Sequence, residues 1–164
     1  MRVDSASKEG IISDIGRQIA EFGLRIGAIK LNPDNPFQWA SGYRMPIYND
    51  NRMFLFHPEA RRTIAAGLAE IIQEEGISPE VVAGTATAGI PHGALLADLL
   101  SLPYIYIRDK PKAHGLKNRI EGLDAESDLG GRRVVVIEDL ISTGGSSARA
   151  VQAVREANGQ ADWC

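Results

Sequence analysis

Between Glu138 and Ser146 the chain sets two carboxylates against a run of hydroxyls and glycines, Glu138-Asp139-Leu140-Ile141-Ser142-Thr143-Gly144-Gly145-Ser146. Adjacent ionised carboxylates accept hydrogen bonds from a diol. Glycines let a backbone approach a ligand closely, and the amides that open a following helix favour an anion. Hydroxyls plus a phosphate describe a sugar phosphate, and that is the ligand class this spacing predicts. The lysine of a Walker loop and the GxGxxG of a dinucleotide fingerprint are both absent.

Two further stretches carry chemistry. Thr85-Ala86-Thr87-Ala88-Gly89, continuing through Ile90-Pro91-His92-Gly93, is a second small-residue loop. From Arg108 to Arg119 the chain carries five cations, Arg108, Lys110, Lys112, Lys117 and Arg119, together with His114. Pro111 and Gly115 disfavour a regular helix there, and a loop of about a dozen residues inside a compact domain often serves as a lid. Positive charge of this kind suits an anionic ligand. The remaining histidines read as scaffold: His57 as a solvated residue at a helix start, His92 as a structural one.

These residues need strand ends to hold them. Four consecutive β-branched residues, Val134 to Ile137, predict a strand covered on both faces, the kind found in parallel sheets. Val81–Gly84 and Tyr104–Ile107 predict two more. Apolar positions spaced by three and four predict helices over Ile11–Ile26 and from His57-Pro58-Glu59 to Gly76; others are expected over Ala94–Leu100 and Ser147–Ala157. Tyr43 to Arg52, dense in aromatic, amide and charged groups, reads as a short β-hairpin following the Ser41-Gly42 turn. Strand, helix, strand, loop, strand, helix is the order of a parallel α/β sheet, whose ligands gather beyond the carboxyl ends of the strands. Both glycine-rich loops fall there. Gln160 to Cys164 resembles the approach to one more strand, and the expectation is a chain that stops before the C-terminal strands.

At 164 residues, 44% hydrophobic and 24% charged, the sequence predicts one globular domain, with a formal charge of -3 that gives no general attraction for nucleic acid or anionic membrane. Cys164 has no intrachain partner, so a reducing, cytoplasmic compartment is expected. The polar first ten residues lack the apolar stretch of a secretion signal, and no run approaches the length of a membrane span.

Arg108, Lys112, His114-Gly115, Asn118 and Glu121-Gly122, taken with Glu138 to Ser146, resemble orotate phosphoribosyltransferases, members of the type I phosphoribosyltransferase family. Gly27-Ala28-Ile29-Lys30, Ser41-Gly42, Pro46-Ile47-Tyr48 and Gly84 to Pro91 agree with that pattern. The resemblance implies an α/β fold, a central parallel sheet flanked by helices, with a small N-terminal hood over about residues 1–55 and a core over about 56–164. It implies transfer of phosphoribose from phosphoribosyl pyrophosphate (PRPP) to orotate, with Mg²⁺ held mainly through PRPP and no direct protein ligand. Arg108, Lys112 and His114 would contact the pyrophosphate, reaching across a homodimer, and Thr85 to Gly89 would face it. Glu138 and Asp139 would hold the ribose hydroxyls, and Leu140 to Ser146 would wrap the 5′-phosphate. Ser142 and Tyr48 would approach orotate, and Lys112 and Asp139 would be the catalytic pair. Ala40 and Ala88 stand where some members carry lysine, and the arginine that grips the orotate carboxylate has no counterpart in the chain. Transfer to a purine base, a PRPP-sensing regulator without turnover, and an inactive fragment are the competing readings.

Overall fold

The computed structural model describes residues 5–39, 41–109, 119–124 and 127–164, with the backbone alone over 5–13. The chain divides into two compact units, Met1–Ile71 and Ile72–Cys164.

In the first unit α1 (Ser5–Ile26) begins earlier than the apolar periodicity predicts. Its Ile19, Phe22 and Ile26 pack with Ala28, Phe54, Ala60 and Ile64. Gly23 permits this approach, because a Cβ there would lie 2.8 Å from the Ile29 side chain and 2.9 Å from the Phe54 ring. His57 is not simply solvated: its ring meets Phe22 edge-on at 5.1 Å between centroids.

Four short strands follow: β1 (Ile29–Leu31), β2 (Phe37–Gln38), β3 (Arg44–Met45) and β4 (Ile47–Asn49). β2 pairs with β3 and β1 with β4, both antiparallel. Tyr43 to Arg52 is therefore not a hairpin of its own, contrary to the sequence expectation. Gly42, at φ +88°, closes a turn back onto Trp39, which sends Arg44 and Met45 to β2. The Trp39 indole Nε1–H donates to the Ile47 carbonyl at 2.8 Å and ties the two ladders together. Asp50 then caps a 3-10 turn, Asn51–Phe56, by accepting from the Arg52 amide. Pro58, whose fixed φ and missing N–H suit a first helical position, opens α2 (Pro58–Glu74).

The second unit is built on a five-stranded sheet of β5 (Val81–Thr85), β6 (Tyr104–Ile107), β7 (Ile120–Glu121), β8 (Arg133–Ile137) and β9 (Gln160–Trp163). The order is β7-β6-β5-β8-β9, all parallel except β7, which runs antiparallel to β6. All five residues of the central β5 are buried, as its continuous run of small and apolar residues requires. Side chains alternate between faces. Val81, Ala83, Val134, Val136 and Ala161 share one cluster with Ala150, Ala153 and Val154 of α4 (Gly145–Glu156). Burying such valines contributes about 1.5–3 kcal/mol apiece.

On the opposite face α3 (Gly89–Leu100) approaches so closely that a Cβ on Gly93 would lie 3.1 Å from the Gly84 Cα and from the Tyr104 ring. The Tyr104 hydroxyl donates to the Ile90 carbonyl at 2.7 Å and fixes the start of this helix. The sequence predicts α3 only from Ala94. It begins five residues earlier because Pro91 falls in the first turn, where an N–H has no helical acceptor to lose. His92 is buried within α3, in keeping with its structural reading. Among the described residues no helix is long and apolar enough to cross a membrane.

Candidate active site

β5, β6 and β8 are parallel, so Thr85, Ile107 and Ile137 end side by side, and the loops that leave them share one edge of the sheet. At that edge Thr85, Ala86, Arg108, Asp109, Ser146 and Arg149 line a shallow recess.

β8 delivers Glu138 and Asp139, both half-buried, at its end. The Thr85 hydroxyl, itself buried, lies 2.5 Å from Glu138 Oε1 and 3.3 Å from the Ile137 carbonyl oxygen. Glu138 Oε2 is buried without a hydrogen-bond partner among the described residues. Gly89 seals this junction: a Cβ there would stand 2.4 Å from Thr85 Oγ1 and 2.5 Å from the Ile137 oxygen. The first residue of α3 is thus pressed against the acidic end of β8.

Leu140, Ile141, Ser142 and Thr143 are exposed, as an apolar pair and two hydroxyls presented to a ligand would be. Gly144, at φ +75°, is the N-cap of α4, and no side chain caps the helix. The amides of its first turn therefore point outward with their positive dipole end available to an anion. Ser146, exposed on that turn, is one wall of the recess.

Arg108 leaves the end of β6 half-buried and paired through Nη1 with Glu121 Oε1 at 3.3 Å. β7, which holds Glu121, was not visible in the sequence; its two residues form a strand only because β6 offers an edge. The predicted pyrophosphate ligand thus has a carboxylate partner that an incoming anion must displace or share. Of the predicted loop, Ala86 and Ala88 are half-buried and Thr87 is exposed, whereas Thr85 faces inward. Tyr48 lies on β4 in the first unit, its ring 5.6 Å from that of Phe37. Lys112 and His114, with the rest of 110–118, and Ala40 lie outside the described residues.

Two neighbours of the site escaped the sequence reading. Arg149 Nη2 pairs with Asp109 Oδ1 at 3.1 Å, and its Nη1 lies 3.4 Å from the place of a Gly145 Cβ. A usable signal existed: residues four apart share a helix face, and Arg149 follows Gly145 by four. Among the described residues no group of three or more His, Cys, Asp and Glu side chains is placed to hold a metal ion.

An orotate phosphoribosyltransferase of Bacillus pumilus is 55% identical over 140 residues, 85% of this chain, which spans 64% of that protein's length. The crystal structure of orotate phosphoribosyltransferase from Aeropyrum pernix superposes with a TM-score of 0.72 at 31% identity, covering 87% of this chain and 76% of that one. Adenine phosphoribosyltransferase from Leishmania tarentolae, at 18% identity and a TM-score of 0.58 over 88% of this chain and 70% of its own, shares the fold alone. The sequence model of the phosphoribosyl transferase domain matches residues 52–161. That span takes in β5 through β8, both glycine-rich loops and the first half of β9, so the match covers the whole edge just described, and the chain belongs to the phosphoribosyl transferase domain family.

Proposed function

We propose that this chain carries the PRPP-binding part of an orotate phosphoribosyltransferase, which joins phosphoribose to orotate in the cytoplasmic synthesis of pyrimidine nucleotides and releases pyrophosphate. The observation that carries this reading is the 55% identity to a relative named for that activity, spread over 140 residues rather than confined to one motif. The geometry supports it at the sheet edge. Glu138 and Asp139 close β8 just before the uncapped start of α4, an arrangement that suits acids holding ribose hydroxyls and a helix start holding a 5′-phosphate.

The reaction is a displacement at the anomeric carbon whose transition state gathers positive charge on the ribose ring. The protein's share is positioning and electrostatics. Glu138 and Asp139 accept hydrogen bonds from the ribose hydroxyls and stabilise that developing charge. The amides of Gly145 to Ser147 and the hydroxyls of Ser142, Thr143 and Ser146 hold the phosphate. Thr87 and Arg108 meet the pyrophosphate, and Lys112 and His114 supply the charge, or the proton, that its departure requires. Ser142 contacts orotate, and the Arg108–Glu121 segment is shared between the subunits of a homodimer.

Mg²⁺ fits this donor set as a ligand of PRPP rather than of the protein. Among the described residues no third His, Cys, Asp or Glu joins Glu138 and Asp139 to build a metal cage, so contact through PRPP or water suits this donor set. When bound with PRPP, the ion neutralises charge on the leaving pyrophosphate.

The test is orotate consumption, followed by its ultraviolet absorbance, with PRPP and Mg²⁺ each present or omitted and adenine and hypoxanthine as competitors. Loss of orotate only with both supplied is the expected result. Consumption of a purine instead, or PRPP binding without any turnover, even in a chain lengthened to match its relatives, would overturn the assignment.

A further inference from the structure

We infer that Thr85 is a positioning residue for Glu138: its buried hydroxyl pins one carboxylate oxygen and so fixes the orientation of the whole carboxylate at the end of β8, beside the proposed ribose site. This rests on the reading of the site as a PRPP site and gives Thr85 a role other than the pyrophosphate contact expected of its loop. The geometry is specific. Thr85 is 2% exposed, its Oγ1 lies 2.5 Å from Glu138 Oε1, and Glu138 Oε2 is buried and unpartnered among the described residues. A hydroxyl has a single hydrogen to give. At 2.5 Å the carboxylate is the stronger claimant, and the Ile137 carbonyl at 3.3 Å is at best a weak second acceptor.

The terminal torsion of a glutamate is soft and broadly populated, so a free Glu138 would spread its oxygens over many directions. One short bond to a side chain that cannot move removes that freedom. Thr85 cannot move because it closes a buried strand and because Gly89 leaves only enough room for Oγ1 beside it. The carboxylate at the end of β8 is thus oriented by a side chain 53 positions away in the chain.

The experiment is PRPP binding by calorimetry, with Mg²⁺, to the unsubstituted chain and to Thr85→Val, Thr85→Ser and Thr85→Ala, each checked for its unfolding temperature. Val keeps the shape without the hydroxyl. Ser and Ala lack the same methyl and differ only in the hydroxyl, so this pair decides the matter if the Val variant does not fold. Thr85→Val and Thr85→Ala should each weaken PRPP binding about tenfold, the usual effect of losing a hydrogen bond to a charged group, and Thr85→Ser should stay within about twofold. On a Glu138→Ala background Thr85→Val should add no further loss, because nothing remains to be oriented. Binding that is unchanged or tighter in Val and Ala, a Ser variant as weak as Ala, or an undiminished Val effect without the Glu138 carboxylate would each overturn the inference. An unsubstituted chain that does not bind PRPP would overturn the proposed function itself.

Discussion

Gly89 shows how little room separates the two loops of the site. A methyl added there would meet the Thr85 hydroxyl and the Ile137 carbonyl oxygen at 2.4 and 2.5 Å, and one of those contacts is backbone. Gly89→Ala should therefore cost about 2–3 kcal/mol of stability, the upper part of the usual range for overpacking, readable as a lowered urea midpoint. Gly145 makes the opposite case. Its Cβ would find side-chain atoms alone, Arg149 Nη1 at 3.4 Å and Thr143 Oγ1 at 4.0 Å, and a side chain at a helix start carries no backbone penalty. Gly145→Ala should leave the urea midpoint within about 0.5 kcal/mol of the parent and still weaken PRPP binding, by crowding the phosphate against the amides. Equal loss of stability in both variants would contradict this contrast. The acids and glycines of this motif were legible in sequence because they are contiguous. The Thr85–Glu138 contact was not, since no local pattern reports a bond between residues on separate strands.

At the scale of elements, strands covered on both faces announce themselves. Val81–Gly84, Tyr104–Ile107 and Val134–Ile137 were readable because burial on two sides demands unbroken apolar runs. β7 was not readable, because two residues carry no periodicity and become a strand only through the edge of β6. The start of α3 was misplaced because Gly89-Ile90-Pro91 looks like punctuation, although proline in a first turn sacrifices no bond. Tyr104, which anchors that start, gives a pH test. Its burial, and to a lesser degree the neighbouring Tyr106, pushes the phenol from 10 up to about 12. A folded pKa above the unfolded one means the native state holds the proton longer. Its contribution is therefore complete below pH 10 and is lost as pH rises toward 12. Tyr104→Phe should be less stable than the parent at pH 7, having lost the bond to Ile90, and should lose less stability between pH 10 and 12. Urea midpoints at pH 7, 10 and 11.5 measure both effects, and parallel curves would refute the assignment.

For the molecule as a whole, the charge balance and the site point in opposite directions. The chain is net negative, at -3, yet the recess where PRPP would sit carries two cations, Arg108 and Arg149, against the single acid Asp109. If the overall charge governed binding of this anion, added salt would screen a repulsion and tighten the complex. If the local cations govern, salt weakens it. Charges within a Debye length of about 8–10 Å dominate at ordinary ionic strength. The expectation is a loss of roughly three- to tenfold in PRPP affinity between 0.05 and 0.5 M salt, measured by calorimetry at fixed Mg²⁺.

The antiparallel pairing of β6 with β7 has a consequence for how the chain between them can change. Tyr106 stands opposite Glu121 and Ile107 opposite Ile120, so the two ends of the cationic segment are clasped at the width of a strand pair whatever lies between. The entropy of closing such a segment grows only with the logarithm of its length, about 0.6 kcal/mol for a doubling. Insertions and deletions there are cheap for the sheet. The segment is free to be tuned to a substrate while the clasp, and everything packed beneath it, stays as it is.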